Sequence, residues 1–381
     1  MSTTDITHAR LTRRNWMLLS ASSLAGCGGG AGVAALPGTG GTGIYVQGSI
    51  AGFGSVIINS IKFDDSQATI LMNGGTVSSA NLRLGMVAAV QGERGADASQ
   101  GIARSIEVWS LAQGLVASVQ GSGFEVAGMK VLTNPATACE GLGYVGQLSA
   151  GMRVVVWGLQ TGADGLGWTA TRVAVAADAQ VVSTGTLTRI GSRSYLNGLL
   201  LTGALANDMA DATLVRVQGT LSPTQESLQV SGFKLHSPWL ATQPQGESEI
   251  EGVVARVLSA TRFMMGGIEV DAAGARLSPA GARIAVGARI EVEGFWQGAV
   301  LKAVEVEVGD EQGLREASIE AAIEQFTSLS SFILRGQRCD ASGAVLVGSG
   351  SLYDVRLGAK VKLQGSVEGD LLRVRTLELL T

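Results

Sequence analysis

Apolar and charged residues alternate cleanly along two short stretches of the chain. Ile290 and Val292 are interleaved with Arg289, Glu291 and Glu293, and Val361 and Leu363 with Lys360 and Lys362. A period of two predicts strands with one buried and one wet face. Both stretches are framed by glycines, Gly287 to Gly294 and Gly358 to Gly365. The frame returns as Gly85 to Gly92 and Gly151 to Gly158. A fifth copy, Ala212 to Gly219, has alanine at the first frame position. Self-similarity at a fixed period predicts a repeat architecture of five units, each of about 65 residues.

The hydrophobic pattern around the heptad fills out the unit. Each unit opens on a strand marked by a small residue, Gly48, Gly114, Gly185, Gly252 or Ala321. A second strand is led by Phe124, Tyr195, Phe263 or Phe332, with Val56 in the first unit. A turn follows at Gly128, Gly198, Gly267 or Gly336, with Ser60 in the first unit. The third strand ends at Phe63, Val131, Leu201, Val270 or Cys339. Two apolar runs around a short Gly/Asn loop read as a hairpin. A looser Ser/Gly/Ala segment, such as Leu277 to Ala282, leads into the framed heptad. The last strand carries apolar anchors at an uneven step of three, then two. They are Ala103/Ile106/Val108, Ala170/Val173/Val175, Val230/Phe233/Leu235, Ala303/Val306/Val308 and Val374/Leu377/Leu379. A strand that keeps one face inward across that step needs a β-bulge.

Five or six short, bent strands per unit predict an all-β protein of five tandem OB-like β-barrels, with repeated β-sandwiches as the alternative. The expected organisation is a signal peptide over 1–26, a glycine-rich tether over 27–43, and barrels over 44–109, 110–177, 178–237, 249–308 and 316–381. Linkers are expected at 238–248 and 309–315. The first three barrels adjoin directly, which predicts a stiff arm from 44 to 235 and a hinge near Pro244. The framed strand and the aromatic hairpin, over residues 44–380, resemble an uncharacterised family of bacterial domains of unknown function found in tandem in exported proteins. The motifs concerned are structural, so the resemblance implies a fold and no chemistry.

Composition narrows the class. The 381 residues include 54 glycines and 6 prolines, and 46% are hydrophobic, far too apolar for a disordered chain. Net charge is −4. Residues 1–26 hold three arginines against one aspartate, so the rest is more acidic than the total. No Lys/Arg cluster occurs beyond the N-terminus, which argues against nucleic acid as a partner.

The N-terminus reads as an address. Basic residues precede the apolar stretch Trp16 to Gly26, which is export-signal grammar. Leu24-Ala25-Gly26-Cys27 resembles the bacterial lipobox, and that resemblance implies cleavage before Cys27 and lipid attachment to it. Gly28-Gly29-Gly30 suits a tether. Arg13 and Arg14 lie in a stretch similar to the twin-arginine export motif. Together these imply a bacterial envelope protein anchored through lipid on Cys27, with the outer membrane expected.

Candidate chemistry is sparse. After His8 in the signal, His236 is the one remaining histidine; a triad would have to be built on it, yet it reads as a residue entering a Pro-rich linker, and a His-based metal site needs more than one such ligand. No Asp-rich calcium loop occurs, and Asp64-Asp65 and Asp310-Glu311 read as solvated turns. Cys339 sits at a core position, and Cys139 in a loop-like segment. No catalytic residue, metal site or cofactor is expected. The expected function is a non-catalytic binding or scaffold arm contacting an envelope protein or polysaccharide. The alternatives are a carbohydrate- or peptidoglycan-binding module using exposed tryptophans among Trp109, Trp157, Trp168, Trp239 and Trp296, and, further off, a carboxylate-based hydrolase.

Overall fold

A computed structural model describes residues 43–161, 167–224, 226–235, 246–309 and 316–380. Each of the five units closes into a small β-barrel. In unit 1 the first strand, Gly43–Phe53, pairs antiparallel at its start with the fourth, Val87–Arg94, and at its end with the second, Val56–Ile58. The second strand continues into the third, Ile61–Asp64. The third pairs in parallel with the fifth, Gln100–Val108, which returns antiparallel to the fourth. The ring therefore runs 1-2-3-5-4-1, with its parallel contact between strands three and five. The same parallel contact recurs in the other four units. This is the five-stranded OB-like barrel expected from the pattern.

The glycine-framed heptad is strand four, and its two glycines act differently. The first frame residue has a left-handed backbone in every unit: φ is 78° at Gly85, 87° at Gly151, 55° at Ala212, 87° at Gly287 and 80° at Gly358. Glycine adopts that region without steric cost. The second frame glycine lies against the backbone of strand five. A Cβ there would fall 2.1 Å from the Ile102 carbonyl oxygen at Gly92, and 1.9 Å from that of Arg373 at Gly365. The approach is forced by the bulge, because Arg104, Thr171, Ser231, Val304 and Arg375 are the extra residues passed over in the ladder beside those glycines. The uneven apolar step thus marks one bulge per unit.

Some expectations fail on local grounds. In unit 3 Ser194, not Tyr195, occupies the lead position opposite Leu201, so the aromatic lies one residue out of register. In unit 1 the sizes are exchanged, with Val56 opposite Phe63. The looser segment holds a short strand paired in parallel with strand five in four units: Thr69–Met72, Ala138–Glu140, Arg276–Ser278 and Val345–Val347. Unit 3 has a 3-10 turn, Ala204–Asn207, in that place. Without the covering strand, Phe233 of unit 3 stays exposed where Val173 of unit 2 is buried; the last anchor is exposed in both units, at Leu235 and at Val175. Cys139 lies on one of the short strands, not in a loop, and is buried.

The units do not form a row. The first strand of unit 1 pairs in parallel with the first strand of unit 4 over Ile44–Gln47 and Glu247–Ile250. Its far end pairs in parallel with the first strand of unit 5, Gly52 opposite Ser318 and Phe53 opposite Ile319. Buried Arg172 of unit 2 donates to the Leu84 carbonyl at 3.0 Å. Arg216 of unit 3 donates to Asn73 Oδ1 at 3.0 Å. Unit 1 therefore touches all four others. The expected stiff arm is replaced by a cluster, because strand one of each barrel leaves part of its edge free to pair outward. Pro244, the expected hinge, lies outside the described residues.

Candidate binding cleft

The second and third strands of unit 1 meet in a two-residue turn, Asn59-Ser60, with φ of 49° and 64°. Both values belong to the primed turn that suits strand twist. Asn59 Nδ2 donates to the Gln47 carbonyl at 3.1 Å and ties the turn to strand one. The loop between strands four and five folds over the same face. There Asp97 Oδ1 accepts from Ser99 N at 2.9 Å and Ser99 Oγ at 2.8 Å. These bonds hold the Asp97 carboxyl below its ordinary value. The amide of Lys62 donates to the Ser99 carbonyl at 2.8 Å, which fixes the loop to strand three.

Unit 5 supplies the facing wall. Ser318 lies opposite Gln364, and Glu320 opposite Lys362, on its first and fourth strands. Gly52 and Gly54 of unit 1 allow the approach. A Cβ on Gly52 would fall 2.2 Å from the Ser318 carbonyl oxygen, and one on Gly54 2.3 Å from Glu320 Cβ. The guanidinium of Arg335, on the unit 5 hairpin turn, stacks 4.7 Å from the ring centre of Phe53 and donates to the Ser79 carbonyl at 2.6 Å.

Between these walls lies a cleft of about 590 Å³. Phe53, Ile57 and Ile61 form its apolar floor. Its rim carries hydroxyls, amides and both signs of charge, with Lys62 and Glu320 paired at 3.6 Å. Such a mixture can hydrogen-bond a polar, hydroxyl-rich molecule while covering its apolar faces. Cys339 and Cys139 are free and buried. Burial pushes their thiols up to about 12 and about 11, so neither is a thiolate near neutral pH.

The export and lipidation residues Arg13, Arg14, Leu24, Ala25, Gly26 and Cys27 lie outside the described residues, as do His8, His236 and Trp239. Of the other tryptophans, Trp157 and Trp168 are buried, and Trp109 and Trp296 half-buried. None lines the cleft. The tryptophans that are described pack within barrels and seams rather than offering an exposed platform for a ligand. Sequence reasoning missed Lys62, Ser318, Glu320 and Gln364. Each is an unremarkable polar residue on a wet strand face until two units are docked.

Comparison with known proteins agrees with the repeat. A family model described as Domain of unknown function (DUF5666) matches residues 113–174 and 249–307. Two of the five barrels thus match an uncharacterised domain family. Each match runs from the first strand of its barrel into the fifth, in units 2 and 4. No curated protein matches the chain. Among solved structures, "drosophila Unr CSD456" is similar at 10% identity, over 54% of this chain and 99% of that chain, with a TM-score of 0.15.

Proposed function

We propose that this is a lipid-anchored protein of the bacterial cell envelope, held through Cys27, that binds a polar oligosaccharide without catalysis. The cleft between units 1 and 5 carries the reading. It lies on the face formed by strands two and three and the loop between strands four and five, the face OB barrels use for oligonucleotides and oligosaccharides. Nucleic acid is disfavoured because the cleft's lysines, Lys62 and Lys362, face Glu320 rather than forming a basic track, and no stacking aromatic is exposed there. The anchor rests on the Leu24–Cys27 motif and the glycines after it.

Calorimetric titration with peptidoglycan fragments and envelope oligosaccharides tests the binding. Lys62→Ala and Gln364→Ala should each weaken it about tenfold, the loss of one well-placed hydrogen bond. No binding to any of these glycans, or unchanged binding by both variants, would overturn the assignment. Cys27→Ala should move the protein from the membrane to the soluble fraction; retention on the membrane would refute the anchor.

A further inference from the structure

Glutamates crowd the seam between units 1 and 4, away from the cleft. Strand one of unit 4 sets Glu249 beside Val46 of unit 1, wholly buried. Strand four of unit 4 sets Glu293 opposite Glu249, and Glu291 opposite Glu251. Strand five adds Glu305 opposite Glu293, and Glu307 opposite Glu291. The facing cations are few. Arg94, from strand four of unit 1, donates to Glu249 Oε2 at 2.8 Å and pairs with Glu247 at 2.5 Å. Arg289 donates to Glu251 Oε1 at 2.6 Å, while Glu251 Oε2 accepts from the Ser49 amide of unit 1 at 2.7 Å. Arg276 pairs with Glu305 at the outer edge.

One oxygen has no such match. Oε1 of Glu249 is buried, and among the described residues no nitrogen or hydroxyl donates to it. The Glu291 carboxyl is Glu249's hydrogen-bonding neighbour. Two carboxylates in contact repel; with one proton between them they form a hydrogen bond.

We propose that Glu249 and Glu291 share a proton, and that this proton latches unit 4 onto unit 1, so that the seam is tight in acid and loosens as pH rises. Burial pushes Glu249 up to about 6. Burial first, then Glu249, Glu307 and Glu251, pushes Glu291 well above the ordinary carboxylate range. The folded pair therefore binds protons more tightly than the unfolded chain. Its stabilisation is complete below the ordinary value of 4.5 and is lost as pH rises through 6 and beyond. For Glu249 that span corresponds to about a 30-fold change in the opening equilibrium.

Hydrogen exchange on the full chain, expressed as protection factors at pH 5, 6.5 and 8, tests this. Amides of Ile44–Gln47 and Glu247–Ile250 should lose about tenfold protection or more across the range, part of the stabilisation being already lost at pH 5, while those of units 2 and 3 stay constant. Glu291→Gln places an amide donor beside Glu249 and should flatten the profile with the seam closed at pH 8. Glu249→Gln should also flatten it, and provides a second reading if the first variant fails to fold. Seam protection independent of pH in the wild type would overturn the proposal. So would calcium or magnesium restoring protection at pH 8, because the carboxylate oxygens of Glu247, Glu249 and Glu293 lie within 4.8 Å of one another and a cation would then be the latch.

Discussion

The two frame glycines of strand four should respond very differently to the same substitution. At Gly287 nothing lies within 4 Å of a built Cβ, so alanine would meet only the cost of a left-handed backbone. That cost is about 1–2 kcal/mol, and the stiffer unfolded chain returns about 0.4–1 kcal/mol. Gly287→Ala should therefore destabilise unit 4 by about 1 kcal/mol. At Gly365 the Cβ would stand 1.9 Å from the Arg373 carbonyl oxygen, an atom fixed by the bulged ladder. Neither strand can retreat without breaking the barrel ring, so Gly365→Ala should cost more than about 3 kcal/mol and unfold unit 5 at moderate denaturant.

Unit 3 supplies the reverse experiment. Ala212 already holds φ at 55° where the other four units have glycine. Ala212→Gly removes that strain and should stabilise unit 3 by about 0.5–1 kcal/mol, by the same two terms with opposite sign. Five units need not unfold together, so a single melting temperature is the wrong measure. Hydrogen exchange under mild denaturant reads each barrel by its own strand-four amides. If Gly287→Ala costs as much as Gly365→Ala, the division between backbone conformation and steric approach is wrong. If Ala212→Gly lowers the protection of unit 3, the strain argument is wrong as well.

Three further outcomes follow from the packing. Val292 is fully buried, and Val292→Asp places an unpaired charge in the core of unit 4; this should cost more than about 4 kcal/mol, and an unchanged circular dichroism melt would contradict the register. Gly52→Val drives a side chain into the Ser318 carbonyl and should undock unit 5, seen as a larger radius in X-ray scattering with the barrels still folded; unchanged dimensions would mean the seam is not where unit 5 is held. In Cys27→Ala protein, a thiol reagent should titrate neither cysteine in the native state and both Cys139 and Cys339 after denaturation without reductant; fewer than two thiols would reveal a disulfide.

The interior of each barrel was legible because its constraints act over short distances. The three-then-two step of Ala303, Val306 and Val308 locates a bulge, because alternation cannot otherwise keep all three inward. The framed glycines locate a left-handed turn and a close strand approach. Register slipped only in unit 3, where Tyr195 imitates the lead aromatic and Ser194 fills its place. The short strand in the looser segment was hidden by its composition. Leu277-Ser278 next to a proline looks like loop, and pairing with Glu305–Glu307 of strand five, not local preference, makes it a strand.

The seams were not legible, and the reason bears on both proposals. A barrel's wet face carries polar residues whether it meets solvent or another barrel, so Glu291 and Lys62 look alike in sequence. Docking separates them. The wet face of unit 4's fourth strand was expected to be open, yet Glu291 is only partly exposed and its partner Glu249 is fully enclosed at the unit 1 contact. The wet face of unit 1's third strand keeps Lys62 at the mouth of a cleft. Strand one of unit 1 connects the two places, pairing with unit 4 at Ile44–Gln47 and with unit 5 at Gly52–Phe53. A strand joined at both ends transmits strain along its length. If the Glu249–Glu291 pair loosens the first end, the Gly52 contact that forms one wall of the cleft loses part of its support. Ligand affinity in the wild type should then fall between pH 5 and pH 8 and stay level in Glu291→Gln. Parallel affinity curves for the two proteins would show that the seam and the cleft act independently.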